Sequence, residues 1–304
     1  MSSEHRAGYV AVAGRPNVGK STLVNHYLGE SILPVSPKPQ TTHRRQLGIL
    51  TLPAAQVVFV DAPGMHSPRH RLGELLDEVA HDVLRDADLV LGVFELNRMP
   101  TPDDRRVASA VMASQKPLLA ALNKIDLTPP EQLQGHWEAY EELLPATPVF
   151  GVSATRGDNL DRLLEGILER LPAGPGYFPE TELTDSFERD LAADLIRAAA
   201  LQALRQEVPH SIAVMIDEFR ERNGRGAWVA ATLFVERESQ KGIVIGKGGR
   251  MLREIGIQAR KDIERMSGRS IYLQLRVKVL PKWRNDDQAL RRLGYRPRSP
   301  GRRS

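Results

Sequence analysis

The chain has 304 residues, 41% of them hydrophobic, so it is long enough to fold into two domains with buried cores. It contains no cysteine, which excludes disulfides and cysteine-ligated zinc or iron–sulfur sites. No apolar stretch reaches the roughly 18–20 residues that span a bilayer, and the N-terminus lacks the pattern of a signal peptide. We therefore expect a cytoplasmic protein.

The net charge of +4 is unevenly distributed along the chain. Residues 1–172 carry 17 Lys and Arg against 21 Asp and Glu, whereas residues 173–304 carry 25 against 17. A basic half of this kind favours a polyanionic partner such as nucleic acid. Charge alone is equally compatible with a basic surface that faces only solvent.

Apolar runs and amphipathic stretches alternate in the first half, which predicts a three-layer α/β domain with a mostly parallel sheet covered by helices. The predicted strands lie at residues 9–13, 46–52, 57–61, 89–95, 118–123 and 147–152. The predicted helices lie at residues 20–28, 72–85, 103–114, 131–143 and 160–171.

The run at residues 171–179 is rich in proline and glycine and breaks both periodicities, which predicts a linker. The order of elements then changes to helix, two strands, a glycine-interrupted helical segment and a strand, at residues 186–204, 211–218, 228–236, 242–267 and 271–279. The chain end has almost nothing to bury. The predicted division is a nucleotide-binding domain at 1–172, a linker at 173–180, an α+β domain at 181–296 and a disordered basic tail at 297–304.

The segment GRPNVGKS satisfies G-x-x-x-x-G-K-S between a predicted strand and a predicted helix. In that setting, backbone N–H groups and the helix N-terminus converge on phosphate. Lys20 can reach the β- and γ-phosphates, and the Ser21 hydroxyl can ligate Mg²⁺. The expected contacts of this P-loop with the nucleotide come from Gly14, Arg15, Pro16, Asn17, Val18, Gly19, Lys20, Ser21 and Thr22.

A buried apolar strand ends on Asp61, which places a carboxylate where it can hold Mg²⁺. The run Asp61-Ala62-Pro63-Gly64 fits D-x-x-G, and Gly64 can offer its backbone N–H to the γ-phosphate. The pattern is common by itself. About 40 residues beyond a P-loop, it indicates the second phosphate-side element of a nucleotide site.

The fifth predicted strand runs into the motif N-K-x-D, which ends at Asp126. This carboxylate can accept two hydrogen bonds from guanine, whereas adenine has no matching donors and leaves the charge unpaired. The Lys124 stem can cover the base, and Asn123 can tie this loop to the P-loop. Backbone N–H groups of Ser153 and Ala154 are expected at guanine O6. GTP and GDP are therefore the expected ligands.

Met65 follows D-x-x-G, at the position where Ras-type GTPases carry the Gln that orients the attacking water. A methionine cannot do so, which predicts slow turnover or another source of transition-state charge. Asn17 is either an ordinary turn residue or a ligand of a monovalent cation beside the phosphates. In the loop at residues 31–45, Thr41 and Thr42 are candidate sensors of the γ-phosphate.

These motifs resemble the Era-like GTPases, a likeness carried by G-R-P-N-V-G-K-S, by Q-T-T at residues 40–42, by D-x-x-G followed by an apolar residue and His66, and by N-K-x-D. The resemblance implies a potassium ion near Asn17, with Thr42 as the magnesium-sensing threonine and Thr41 near the cation. The family often reads T-T-R-H-R where this chain has Thr, Thr, His43, Arg44 and Arg, so the role of these two residues stays open.

The resemblance also implies which residues are catalytic and which bind magnesium. The catalytic set is Lys20, Thr42, Gly64 and Asn17, and the magnesium set is Ser21, Thr42 and Asp61.

A G-x-x-G turn at residues 246–249 lies between two helical stretches, with basic residues following it. In this order of elements the turn is typical of a type II, or prokaryotic, KH domain, which clamps single-stranded RNA. The alternative is a glycine break between two surface helices. Trp228 and Phe234 are predicted to be core residues rather than base-stacking platforms. The expected RNA contacts are Ile243, Ile245, Gly246, Lys247, Gly248, Gly249, Arg250 and Arg253.

Together the two domains resemble the Era family over nearly the whole chain, including Trp283, the pair Asp286-Asp287 and the run at residues 293–295. The resemblance implies a GTP-hydrolysing switch that binds the 3′ end of small-subunit ribosomal RNA and assists assembly of the small ribosomal subunit. Separately, we expect a monomer, with at most weak peripheral contact with the inner face of the cell membrane. The tail at residues 297–304 goes beyond the pattern.

Two alternatives belong to other functional classes. The first is an RNA-binding module whose P-loop domain is only a scaffold, although intact Lys20, Ser21, Asp61 and Asp126 argue against it. The second is a signalling GTPase whose basic half docks on anionic lipid. The basic residues lack a strong apolar face, so this alternative extends only to peripheral contact.

Overall fold

A computed structural model describes residues 5–36, 43–185, 188–204, 208, 211–222 and 226–295 of the chain. Two compact units can be distinguished, one bounded by residues 1–33, 42–67 and 76–185, the other by residues 34–41, 68–75 and 186–304. The predictions for Thr41, Thr42 and the tail at 297–304 lie outside the described residues.

The first unit contains one six-stranded sheet with the strand order β2-β3-β1-β4-β5-β6. Its strands are β1 (Arg6–Ala13), β2 (Gln46–Leu52), β3 (Ala55–Asp61), β4 (Leu89–Glu95), β5 (Leu118–Asn123) and β6 (Val149–Gly151). Strand β2 is antiparallel to β3, and the other pairings are parallel. The predicted, mostly parallel sheet is therefore confirmed, with β6 shorter than predicted.

Four helices connect these strands and a fifth follows β6: α1 (Lys20–Leu28), α2 (Arg71–Asp86), α3 (Pro102–Ala113), α4 (Pro130–Leu143) and α5 (Leu160–Arg170). Strands β3 and β4 are buried along their whole length, as expected for central strands covered on both faces. Helix α3 begins with a capping box between Thr101 and Asp104. The carboxyl ends of β1, β3, β4 and β5 meet at one edge of the sheet, where ligands bind in open α/β folds.

The segment predicted as a linker is hydrogen-bonded to the first unit. The buried Gln56 side chain accepts from the backbone N–H groups of Tyr177 and Phe178, at 2.7 and 2.9 Å, and donates to the Phe178 carbonyl at 2.9 Å. The Gly174 N–H donates to the His5 carbonyl at 2.9 Å. The first unit extends to Asp185, and the domain boundaries at 172 and 181 stay predictions.

The second unit contains a three-stranded sheet, β7 (Ala213–Arg222), β8 (Gly226–Val235) and β9 (Ser270–Val279). Strand β8 is antiparallel to β7 and parallel to β9. The helices of this unit are α6 (Glu188–Ala203), α7 (Glu238–Ile245), α8 (Arg250–Ser267) and α9 (Asp287–Arg292). The order helix–strand–strand–helix–helix–strand is the predicted one, followed by the additional α9.

Three features of the second unit differ from the predictions. Helix α7 begins at Glu238 rather than at residue 242, and α9 was not predicted because six residues show no readable periodicity. Phe234 is buried as predicted, but Trp228 is only half-buried and stacks on Tyr272, which is 55% exposed. The core interpretation of Trp228 was therefore wrong. Trp228 and Phe234 share the sheet face opposite the apolar core that includes helices α6 and α8, but Trp228 lies near the start of β8, where its neighbour Tyr272 is exposed.

None of the helices in the described part of the chain combines the length and the apolarity needed to cross a membrane.

Candidate functional site

The P-loop connects β1 to α1 and requires glycine at two positions. A Cβ atom on Gly14 would lie 2.4 Å from the Val93 carbonyl oxygen, so no side chain fits there. Gly19 has a φ of 102°, in the left-handed region that favours glycine. Asn17 has a φ of 66°, which Asn tolerates better than most residues. The loop is thus held in the curved form in which N–H groups can face an anion.

Lys20 is buried at the start of α1. Its Nζ donates to the carbonyl oxygens of Gly14 and Arg15, at 3.1 and 3.2 Å, so the ammonium lies inside the loop. Burial lowers the pKa of Lys20, and the nearby Asp61 carboxylate opposes this effect. A desolvated cation held in the phosphate loop is poised to pair with phosphate oxygens.

The Ser21 Oγ donates to Asp61 Oδ2 at 2.5 Å, which joins the first residues of α1 to the end of β3. Asp61 is fully buried. A hydroxyl and a carboxylate are hard oxygen donors, the type of ligand that Mg²⁺ prefers. The two predicted magnesium ligands that the structure describes are therefore adjacent and chemically suited to the ion.

The D-x-x-G turn packs directly on the P-loop. A Cβ atom on Gly64 would lie 2.6 Å from the backbone nitrogen of Pro16, and the Met65 N–H donates to the Gly14 carbonyl at 3.1 Å. The Met65 side chain is only 1% exposed and belongs to the hydrophobic core. It therefore faces away from solvent, which agrees with the prediction that this position does not orient water.

Asn123 ties three loops together, as the motif predicted for the P-loop. Its Nδ2 donates to the Val18 carbonyl at 2.7 Å, and its Oδ1 accepts from the Ala154 N–H at 2.9 Å. The neighbouring Lys124 donates from Nζ to the Asn17 carbonyl at 3.0 Å. Two side chains of the N-K-x-D motif are thus hydrogen-bonded to two successive backbone carbonyls of the P-loop.

Asp126 lies in a 3₁₀ turn, Ile125–Leu127, directly after Lys124. Its carboxylate is mostly buried, and Oδ2 lies 3.7 Å from Arg156 Nε. The Ser153 N–H donates to the Asp158 carbonyl at 3.1 Å, and the Ala154 N–H donates to Asn123. Both N–H groups therefore have hydrogen-bond partners inside the protein, and these bonds stabilise the loop. The contact of these two residues with guanine O6 stays a prediction.

Sequence reasoning missed two buried carboxylates beside the P-loop. Glu95 ends β4 and forms ion pairs with Arg15, Lys124 and Arg98. Asp104, in α3, accepts from Arg15 Nε at 2.9 Å. Burial alone would lower the pKa of Arg15, but the Asp104 and Glu95 carboxylates raise it. A charged residue at the end of an otherwise apolar strand was the signal that could have revealed Glu95.

The G-x-x-G turn of the second unit joins α7 to α8. Gly246, Gly248 and Gly249 all have positive φ, at 70°, 61° and 77°, so the chain reverses tightly between the helices. A Cβ atom on Gly246 would lie 2.7 Å from the Met251 Cβ. Lys247 is exposed at the tip. The turn therefore presents open backbone and one cation, the combination that clamps an RNA backbone.

The predicted RNA contacts lie in and on both sides of this turn, at the end of α7 and the start of α8. Ile243 is 48% exposed, while Ile245 is half-buried. Arg250 and Arg253 are exposed on the first turn of α8. The buried Val244 anchors α7 to the core. Apolar and cationic side chains thus flank the glycines.

Comparison with known proteins agrees with this geometry. The model of a family described as 50S ribosome-binding GTPase matches residues 9–124, and the model of the KH domain matches residues 207–284. A GTPase Era from Lacticaseibacillus paracasei is 43% identical over 293 residues, which cover 96% of this chain and 98% of that protein. The chain belongs to the GTPase Era family. It is therefore a GTPase with a P-loop domain followed by a KH domain, as the motifs predicted.

Two solved Era structures are similar to the whole chain. One is Era in complex with MgGDPNP and nucleotides 1506–1542 of 16S ribosomal RNA, with a TM-score of 0.91 and 38% identity, covering 96% of this chain and 99% of that one. The other is an Era variant from Aquifex aeolicus bound to GDP·AlF4⁻, with a TM-score of 0.90 and 38% identity, covering 95% and 99%. Era proteins thus share this chain's fold in both units.

Proposed function

We propose that this chain is a GTP-hydrolysing molecular switch that binds the 3′ end of small-subunit ribosomal RNA and assists assembly of the small ribosomal subunit. One observation supports the proposal most strongly: the D-x-x-G turn and the N-K-x-D loop both contact the P-loop at one edge of the sheet. The same chain also has a G-x-x-G turn between two helices. The related Era complex holds both a GTP analogue and 16S ribosomal RNA. That RNA favours the small subunit over the 50S subunit named in the family description.

In this proposal, the P-loop at residues 14–22 surrounds the phosphates, and Lys20 pairs with the β- and γ-phosphate oxygens. Gly64 offers its N–H to the γ-phosphate. Asp126 accepts hydrogen bonds from the guanine base, and the Lys124 stem covers its face. Each role follows from the position of the residue at the carboxyl edge of the sheet.

Magnesium would be held by Ser21 Oγ and the Asp61 carboxylate, with Thr42 proposed as a third ligand. When bound, Mg²⁺ neutralises negative charge on the β- and γ-phosphates. The protein's own contribution is to hold these oxygens rigidly, since Asp61 is buried at the end of β3 and Ser21 is fixed in α1. The P-loop N–H groups and Lys20 then favour the additional charge of the transition state.

Because Met65 is buried, we propose that Asn17 supplies the missing element by holding a potassium ion beside the phosphates. Asn17 lies within the P-loop itself, two residues before Gly19, and has a positive φ. A monovalent cation at that point would stabilise the transition-state charge that an arginine finger stabilises in other GTPases.

Replacing Asp126 with Asn tests the guanine assignment. The change replaces one of the two acceptor oxygens with an amide NH2 group, so the guanine N2 amino group loses its acceptor, while the new amide can donate to the O2 of xanthine. We expect GTP affinity to fall at least about 100-fold and xanthosine triphosphate to become the better ligand. Competition binding with GTP, ATP and xanthosine triphosphate measures both effects. Unchanged preference for GTP in the variant contradicts the assignment.

The potassium proposal is tested by replacing Asn17 with Gly, which tolerates the positive φ and removes the side chain that carries the proposed carbonyl ligand. The wild type should hydrolyse GTP at least about tenfold faster in potassium than in sodium. The estimate follows from the rate effect of one fixed group that stabilises transition-state charge. In Asn17→Gly this difference should disappear while GTP affinity is retained. Equal rates of the wild type in the two salts would overturn the proposal.

The RNA part is tested with an oligonucleotide from the 3′ end of small-subunit ribosomal RNA. Lys247→Ala removes the exposed cation at the tip of the turn and should weaken binding about tenfold, the effect of losing a charge-assisted phosphate contact. Lys116→Ala, on the first unit, is the control because it removes the same charge. Crosslinks are expected at residues 243–253. Equal weakening by the two variants would indicate non-specific charge attraction instead.

Partial residence at the inner face of the cell membrane belongs to the same proposal and relies on the basic charge of residues 173–304. Electrostatic attraction to anionic lipid is worth about 1 kcal/mol per nearby cation at most. Flotation with anionic liposomes at physiological salt separates this contact from RNA binding.

A further inference from the structure

Glu95 stands out among the buried carboxylates of the first unit because each of its oxygens forms an ion pair with a different loop of the nucleotide site. Its side chain is 3% exposed. Oε2 accepts from Arg15 of the P-loop, and Oε1 accepts from Lys124 of the base loop. The two cations belong to chain segments separated by more than 100 residues, and this one carboxylate contacts both.

The backbone around Glu95 is held in place independently of these ion pairs. Its carbonyl oxygen accepts from the buried Tyr140 hydroxyl at 3.0 Å. In the parallel pairing of β4 with β5, Glu95 is in register with Asn123, and the Leu96 N–H donates to the Asn123 carbonyl at 2.8 Å. The carboxylate thus projects from a rigid strand end directly beside the N-K-x-D motif.

The two ion pairs of Glu95 favour its ionised form. Burial alone would raise the pKa of Glu95, yet its contacts with Lys124 and Arg15 lower it. A buried anion costs stability unless it is paired, and breaking such a pair leaves an uncompensated charge. Here the anion holds the Lys124 ammonium, which also donates to the Asn17 carbonyl at 3.0 Å.

We propose that Glu95 is a positioning residue for guanine nucleotides, which fixes Lys124 across the base and Arg15 in the P-loop so that base and phosphate recognition act as one site. The inference rests on the proposed function, because it assigns the nucleotide to these loops. Asp104 supports it by holding the same Arg15 side chain through a second nitrogen, with Oδ1 at 2.9 Å from Nε. Glu95 touches no reacting atom in this account and acts only through the two cations.

The decisive variant is Glu95→Gln, which keeps the shape but loses the charge that holds both cations. We expect GDP and GTP to dissociate about tenfold faster, because the ion pairs that hold the two loops are lost. KM for GTP should rise by a similar factor. The turnover number at saturating GTP should stay unchanged, because no group at the γ-phosphate is altered. A fall in turnover number with unchanged KM would overturn the positioning role.

Arg98→Ala is the matched control. Arg98 Nε lies 3.1 Å from the same carboxylate, but this arginine is 51% exposed and lies in neither nucleotide loop. Its removal should leave nucleotide dissociation as in the wild type. If Arg98→Ala accelerates dissociation as much as Glu95→Gln does, the effect is general electrostatics and the inference fails.

A double-mutant cycle separates positioning from simple loss of stability. In Lys124→Met the stem remains and the ammonium is gone, so adding Glu95→Gln should increase dissociation by clearly less than tenfold. Additive effects would contradict coupling through Lys124, even if Glu95→Gln also lowers the melting temperature. Failure of the wild type to bind GTP would instead disprove the proposed function, so the two failures are distinguishable.

Discussion

The candidate nucleotide site depends on the parallel pairing of β1 with β3 and β4, and of β4 with β5. Parallel strands share the direction of their carboxyl ends, so four separate chain segments leave the sheet at the same edge. In this register Val12 lies beside Asp61, and Glu95 beside Asn123. Asp61, Glu95 and Asn123 are the last residues of β3, β4 and β5, and the P-loop follows the end of β1. An error of one residue in pairing would turn the carboxylates to the other face.

The second requirement is a balance of charge, because the P-loop and its border contain several cationic side chains that need anionic partners within the protein. Lys20 is buried in the loop, and Arg15 and Lys124 lie at its border. Buried or half-buried cations need compensating anions. Glu95 contacts Arg15 and Lys124, Asp104 contacts Arg15, and the Asp61 charge favours the charged form of Lys20. The same carboxylates therefore stabilise the fold and define where the nucleotide-facing groups point. This shared role explains why a buried strand ends on an acidic residue.

Local motifs made most of the first unit predictable from the sequence. The P-loop, D-x-x-G and N-K-x-D each occupy a few consecutive residues, and their flanking strands and helices have clear periodicity. Glu95 could not be assigned a role because its partner Arg15 lies 80 residues away and only the tertiary fold joins them. Gln56, which holds the segment at residues 177–178, was missed for the same reason. Trp228 was misjudged because alternation predicts the face on which a side chain lies but not how fully each position along that face is covered.

The central claim is that one chain couples a guanine-nucleotide site to an RNA clamp, and it is tested most directly by measuring RNA affinity in two nucleotide states. The full chain would be saturated with GDP or with a nonhydrolysable GTP analogue and titrated with an oligonucleotide from the 3′ end of small-subunit ribosomal RNA. A coupling free energy of about 1–3 kcal/mol predicts affinities that differ about 5- to 150-fold between the two states. Equal affinities, with both nucleotides shown to be bound, would contradict the account.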